Sequence, residues 1–86
     1  MTMQGAVIRE RGVIFTVVVV KQHIVGNRTQ ADQAIQSFSP LFPGLPVVLM
    51  AQDARGVPAY YGRRDIAEFM SNVPLDAVPW KEYSVG

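Results

Sequence analysis

The order of hydrophobic and polar positions predicts two buried strands. Residues 13–20, VIFTVVVV, are rich in β-branched side chains and show no alternation of polarity, which predicts a central strand covered on both faces. Residues 47–52, VVLMAQ, predict a second buried strand behind Pro46. These two strands form the centre of the predicted sheet.

Turn residues beside the buried strands predict two outer strands. A turn at Arg11-Gly12 connects a short strand at residues 6–10 to the first buried strand. Asp53-Ala54-Arg55-Gly56 predicts a hairpin turn with Gly56 in the left-handed conformation, after which residues 57–61 return as a strand. Pro58 cannot donate a ladder hydrogen bond, so we expect that strand at an edge.

Helical spacing of apolar residues predicts a first helix, which opens at Asn27-Arg28-Thr29 and ends near Pro40. We expect Thr29 to cap it and Asp32 to lie in its positive first turn. Its apolar stripe consists of Ala31, Ala34, Ile35 and Phe38.

A second helix is predicted between Gly62 and Pro74, with Asp65 and Glu68 as its capping pair. The element order is therefore ββαββα. We expect one α+β domain over residues 1–86, with a four-stranded mixed sheet and two helices on one face. The apolar stripe of the second helix consists of Ile66, Phe69, Met70 and Val73. The tail aromatics Trp80 and Tyr83 are expected to cover the core.

Composition narrows the possible chemistry. The 86 residues contain no cysteine and one histidine, so disulfides, thiol chemistry and histidine-rich metal sites are excluded, and we predict neither a metal nor a cofactor. Eight basic and seven acidic residues give a net charge of +1, which favours neither a nucleic-acid nor a membrane partner. The longest apolar run is far shorter than the roughly 20 residues of a membrane span. A cytoplasmic protein is the expectation.

Gly44-Leu45-Pro46-Val47-Val48-Leu49-Met50, followed by a hairpin and a terminal helix, resembles the C-terminal half of thioredoxin-like proteins. The resemblance implies a cis peptide bond before Pro46, and antiparallel strands at residues 13–21 and 47–52. The family's Cys-x-x-Cys is absent, so the resemblance implies a redox-inactive relative used for binding or assembly.

Residues that follow the two buried strands form a candidate ligand site. If those strands are parallel, their carboxyl ends meet at one edge of the sheet, where α/β proteins bind ligands. That arrangement would bring an acid–base side chain, His23, near a carboxylate and two cations. The alternative is that these are solvated residues at strand ends. The candidate residues are Lys21, Gln22, His23, Gln52, Asp53 and Arg55.

A second group combines positive charge with aromatic rings, as single-stranded nucleic-acid sites do. Acidic residues are interleaved with it, so we expect a solvated surface and no nucleic-acid role. The group consists of Arg55, Arg63, Arg64, Tyr60 and Tyr61.

Small size is the strongest argument about function. A chain of this length buries about 60–65% of its unfolded surface, which leaves a narrow stability margin that a partner subunit often supplements. We therefore expect a non-catalytic interaction or assembly module that forms a homodimer or binds another protein. The alternative is a small enzyme or ligand-binding protein that uses the site near His23.

Overall fold

A computed structural model describes residues 2–10 and 12–84. It contains one five-stranded sheet. In chain order the elements are β1 (Thr2–Glu10), β2 (Val13–Val19), α1 (Gln22–Val25), α2 (Arg28–Phe38), β3 (Val47–Gln52), β4 (Pro58–Tyr61), α3 (Arg64–Met70) and β5 (Lys81–Ser84). A single 3₁₀ turn at Ser39–Leu41 follows α2, and another at Leu75–Ala77 precedes β5.

The sheet order β4-β3-β2-β1-β5 places β2 at the centre, as its lack of alternating polarity predicts. Strand β2 pairs with β1 antiparallel and with β3 parallel. Phe15, Val17 and Val18 are each at most 2% exposed, although their side chains alternate between the two faces. Both faces of β2 are therefore covered.

The helices lie on opposite faces of the sheet, so the prediction of two helices on one face is wrong. Ile66 and Met70 of α3 pack with Phe15 and Val17 on the first face. Ala31 of α2 packs with residues of the second face. An apolar stripe shows that a helix buries one side, but it does not specify which face of the sheet that side covers.

Strand β5 was not predicted, so the sheet has five described strands and the predicted number of four is wrong. Strand β5 pairs antiparallel with Thr2–Gly5 of β1, which is why β1 begins before residue 6. Trp80 packs against the first-face core, and Tyr83 packs on the second face with an edge-to-face contact to Phe42 at 5.3 Å. The prediction that both aromatics cover the core is confirmed.

The start of each long helix differs from the prediction. Asn27, not Thr29, caps α2, because its Oδ1 accepts a hydrogen bond from the Gln30 N–H at 3.1 Å. At α3, Asp65 and Glu68 form no capping pair. Their carboxylates instead accept hydrogen bonds from arginines, described below. The four-residue helix α1 between β2 and α2 was not predicted.

The predicted hairpin between β3 and β4 is confirmed. Gly56 has φ +82° and its N–H donates to the Asp53 carbonyl at 2.9 Å. Strand β4 begins at Pro58 and lies at the edge of the sheet, as the proline indicates.

Two geometrical implications of the thioredoxin-like resemblance are absent. No cis peptide bond occurs among the described residues, so the bond before Pro46 is not cis, and β2 and β3 are parallel. The order of strand, hairpin and helix over β3, β4 and α3 is present. Among the described residues, no helix has the length and apolar character that crossing a membrane requires.

Candidate functional site

The parallel pairing of β2 and β3 provides the arrangement that the predicted ligand site requires, since both strands end at the same edge. Lys21, Gln22 and His23 follow β2, and all three are exposed. Lys21 precedes the first turn of α1, to which the other two belong. The apolar residues of α1, Ile24 and Val25, pack on the second face.

The polar groups after β3 mainly stabilise their own turn. Asp53 Oδ1 accepts hydrogen bonds from the backbone N–H groups of Arg55 at 2.8 Å and Val57 at 3.0 Å. The Arg55 guanidinium lies 3.6 Å from the other carboxylate oxygen, and Gln52 Nε2 donates to the Gly56 carbonyl at 3.0 Å. This is an ordinary stabilised hairpin turn.

Within the described part of the chain, no hydrogen bond or ion pair joins residues 21–23 to residues 52–55. A ligand site that uses both groups therefore stays a prediction. Of the six predicted residues, only Gln52 lines the cleft found at this end of the sheet.

That cleft, here called the strand-end cleft, has a volume of about 370 Å³. Strands β1, β2 and β3 and the 3₁₀ turn at Leu75–Ala77 contribute to it, and the Trp80 side chain completes its wall. Its other lining residues are Gln4, Val19, Met50, Gln52, Leu75 and Asp76. Sequence reasoning missed Gln4, Asp76 and Trp80 as site residues because they come from segments far apart in the chain.

The arginine and tyrosine group is compensated by nearby carboxylates. Arg63 makes a bidentate pair with Asp65, at 2.8 and 2.9 Å, and this pairing lowers the pKa of the Asp65 carboxyl. Arg64 Nε donates to Glu68 at 3.2 Å. Together with the Arg55–Asp53 pair, these contacts give each of the three guanidinium groups a carboxylate neighbour. This supports the expected solvated surface.

The tyrosines of β4 point to opposite faces. The Tyr61 hydroxyl donates to Asp32 Oδ1 at 2.8 Å, which connects β4 to α2 and raises the pKa of Tyr61. Tyr60 packs against the first-face core, and burial raises its pKa. Both rings are half-buried against the face on which they lie.

The outer side of β1 is the most unusual surface feature. Strand β5 pairs only with Thr2–Gly5, so residues 6–9 of β1 pair with β2 on one side and with no described strand on the other. We call residues 6–9 the open segment. Ala6 within it is fully buried and Val7 is 41% exposed, so the part that a partner can reach is residues 7–9. A second cleft of about 500 Å³ adjoins Val7 and is lined by Pro79, Trp80, Lys81 and Tyr83.

The chain just before β5 explains why the segment stays open. Pro79 has no N–H to donate. The Trp80 N–H donates to the Val78 carbonyl at 2.8 Å, and its indole Nε1 donates to the Leu75 carbonyl at 3.0 Å. The ladder between β1 and β5 therefore ends at the Gly5–Lys81 pair.

The described residues contain no group of three or more histidine, aspartate or glutamate side chains placed to hold a metal ion. Comparison of the chain with protein-family models, curated proteins and solved structures gave no match.

Proposed function

We propose that this chain is a non-catalytic assembly module that forms a homodimer through the open segment of β1. The observation that carries the proposal is the one-sided pairing of residues 6–9. Strand edges with free backbone groups are templates for pairing with another chain, and two-fold dimers are the commonest soluble assemblies. The core of a chain this small gives only a narrow margin of stability, and a second copy adds to it.

The other two edges are protected against such pairing. Strand β4 is four residues long and begins with Pro58. Strand β5 is also four residues long and carries Lys81 and Glu82. Short length, proline and charge are the features by which natural sheets block edge pairing. The open segment, Ala-Val-Ile-Arg, has no proline and one charge, at its end.

Symmetry and charge favour one register for the dimer. A two-fold axis perpendicular to the sheet pairs the two copies of β1 antiparallel and leaves equivalent faces of the two sheets on the same side. Residues that lie opposite each other are therefore both even-numbered or both odd-numbered. Placing Ile8 opposite Ile8 of the second copy sets Val7 opposite Arg9. Shifting by one step toward Arg9 would place two arginines opposite each other, which is destabilising. Shifting the other way would place Arg9 opposite Gly5, which already pairs with Lys81.

Cross-linking tests this proposal directly, because the natural chain has no cysteine. Ile8→Cys places two thiols opposite each other at the axis, at roughly 4.5–5.5 Å between Cβ atoms, close enough for a disulfide. We expect a disulfide-linked dimer under mild oxidation.

Two matched variants serve as controls. Val7→Cys should cross-link poorly, because in this register its Cβ is on the order of 7–8 Å from its counterpart. Ala59→Cys lies on the protected β4 edge and is exposed, so it should stay monomeric on the gel. Equal cross-linking of Ile8→Cys and Ala59→Cys would count against the open segment as the interface.

The lack of cysteine also supports a cytoplasmic location for the module, since secreted domains of this size commonly rely on disulfides. Sequence reasoning also raised a ligand site near His23, Asp53 and Arg55. The contacts described above favour turn stabilisation by Asp53 and Arg55, so the assembly role is the better supported function.

A further inference from the structure

The strand-end cleft has a chemical character that the assembly role does not use. Its apolar wall is formed by Val19 at the end of β2, Met50 of β3 and Leu75 of the 3₁₀ turn. It lies beyond the carboxyl ends of two parallel strands, the usual position of ligand sites in open α/β sheets. The cleft is away from the open segment, since no residue from 6 to 9 lines it.

Side chains that line this cleft offer acceptors to a ligand. Gln52 uses one N–H of Nε2 to donate to the Gly56 carbonyl, and its Oε1 is an acceptor, while Gln4 adds a second amide. The indole N–H of Trp80 donates to the Leu75 carbonyl, so the ring offers only its π system. The Gln52 Oε1 and the Trp80 ring are therefore two groups that can contact a cation.

Asp76 adds a full negative charge. Its side chain forms no hydrogen bond or ion pair with any described residue, and no lysine, arginine or histidine is among the described residues that line the cleft. The arginine-paired Asp53 and Asp65 differ from it in this respect. A carboxylate beside an aromatic ring and an amide oxygen is an arrangement that binds organic cations.

We propose that the strand-end cleft binds a small alkylammonium ligand. The ammonium group is held by the Asp76 carboxylate, with Gln52 Oε1 as a further acceptor and the Trp80 ring as a cation–π partner. The alkyl chain lies against Val19 and Met50, where it is removed from water.

Trp80 is the one tryptophan of the chain and lines both this cleft and the cleft beside Val7, so its fluorescence detects a ligand in either cleft and amide signals must locate it. We expect butylammonium chloride to change Trp80 emission saturably, whereas sodium butyrate at the same ionic strength leaves it unchanged. In two-dimensional NMR spectra, the amide signals of residues 4, 52 and 76 should shift over the same concentration range.

Asp76→Asn is the deciding variant, because it removes the charge and keeps the shape. It should weaken butylammonium binding by about tenfold or more, the equivalent of about 1.4 kcal/mol. Asp53→Asn is the matched control and should bind as the parent does. Thermal unfolding of each variant verifies that it is folded. The proposal is overturned by a linear, unsaturable fluorescence change in the parent, or by equal affinities of the parent and Asp76→Asn.

Discussion

Among the described glycines, Gly5 is the one at which an added Cβ would meet another atom at the shortest distance. A Cβ at this position would lie 2.8 Å from the Val17 carbonyl oxygen and 3.6 Å from the Tyr83 ring. The glycine thus lets β1 lie close to β2 while Tyr83 of β5 covers it. Glycine suits this position because it has no side chain, more than because its backbone is conformationally free.

Gly5→Ala should destabilise the domain by about 1–3 kcal/mol, because the backbone of β1 or β2 must shift to accommodate the methyl group. Urea unfolding measures the loss. Gly26→Ala is the control, since its nearest neighbours would be 3.6 Å away and its φ of −77° suits alanine. Equal stabilities of the two variants would mean that the close approach at Gly5 has no energetic consequence.

Thr16 introduces a polar atom into the central strand. It is fully buried, and its hydroxyl has no hydrogen-bond partner among the described residues. Thr16→Val should therefore leave stability unchanged or raise it by up to about 1–2 kcal/mol, because an unsatisfied buried hydroxyl is costly. A loss of stability in the same urea experiment would show that the hydroxyl does have a partner.

At the residue scale, the hairpin turn could be predicted from the sequence, whereas the residues of the strand-end cleft could not. Asp53 and Gly56 were recognisable because a hairpin turn depends on adjacent residues. The strand-end cleft was not recognisable, because Gln4, Asp76 and Trp80 approach one another only after β5 has paired with β1. Gln52 was included in the predicted site because it ends a buried strand.

At the scale of elements, buried strands were predictable and their neighbours were not. Strand β2 is rich in β-branched residues and shows no alternation of polarity, a pattern typical of a strand that is covered on both faces. Strand β5, KEYS, is short and mostly polar, and it is a strand because the end of β1 offers it a partner. The faces chosen by α2 and α3 depend on how the chain crosses the sheet, which a stripe of apolar residues does not encode.

Val18→Asp tests the central position of β2. Val18 is fully buried on the second face, so an unpaired carboxylate there should cost more than about 4 kcal/mol and unfold the domain. Val13→Asp is the control in the same strand, since Val13 is 37% exposed. Circular dichroism during heating should show a cooperative transition for Val13→Asp only. A cooperative transition for Val18→Asp would contradict the central position.

At the scale of the whole molecule, the proposed dimer depends on the edges of one sheet. Two edges are short and carry proline or charge, while residues 6–9 of β1 remain open beside an exposed valine. The net charge of +1 does little to keep two copies apart. Pairing two open segments would join two five-stranded sheets into one continuous sheet.

Sedimentation equilibrium at about 10–50 μM, where a dimer with a micromolar Kd is largely associated, shows whether two copies pair through the open segment. We predict a dimer for the natural chain. Val7→Lys should be a folded monomer, because a lysine on the open segment faces Arg9 of the second copy and blocks pairing. Val57→Lys, at a valine that is 51% exposed in the β3–β4 hairpin, should remain a dimer. A folded monomer for the natural chain, or a dimer that persists in Val7→Lys, would contradict assembly through the open segment.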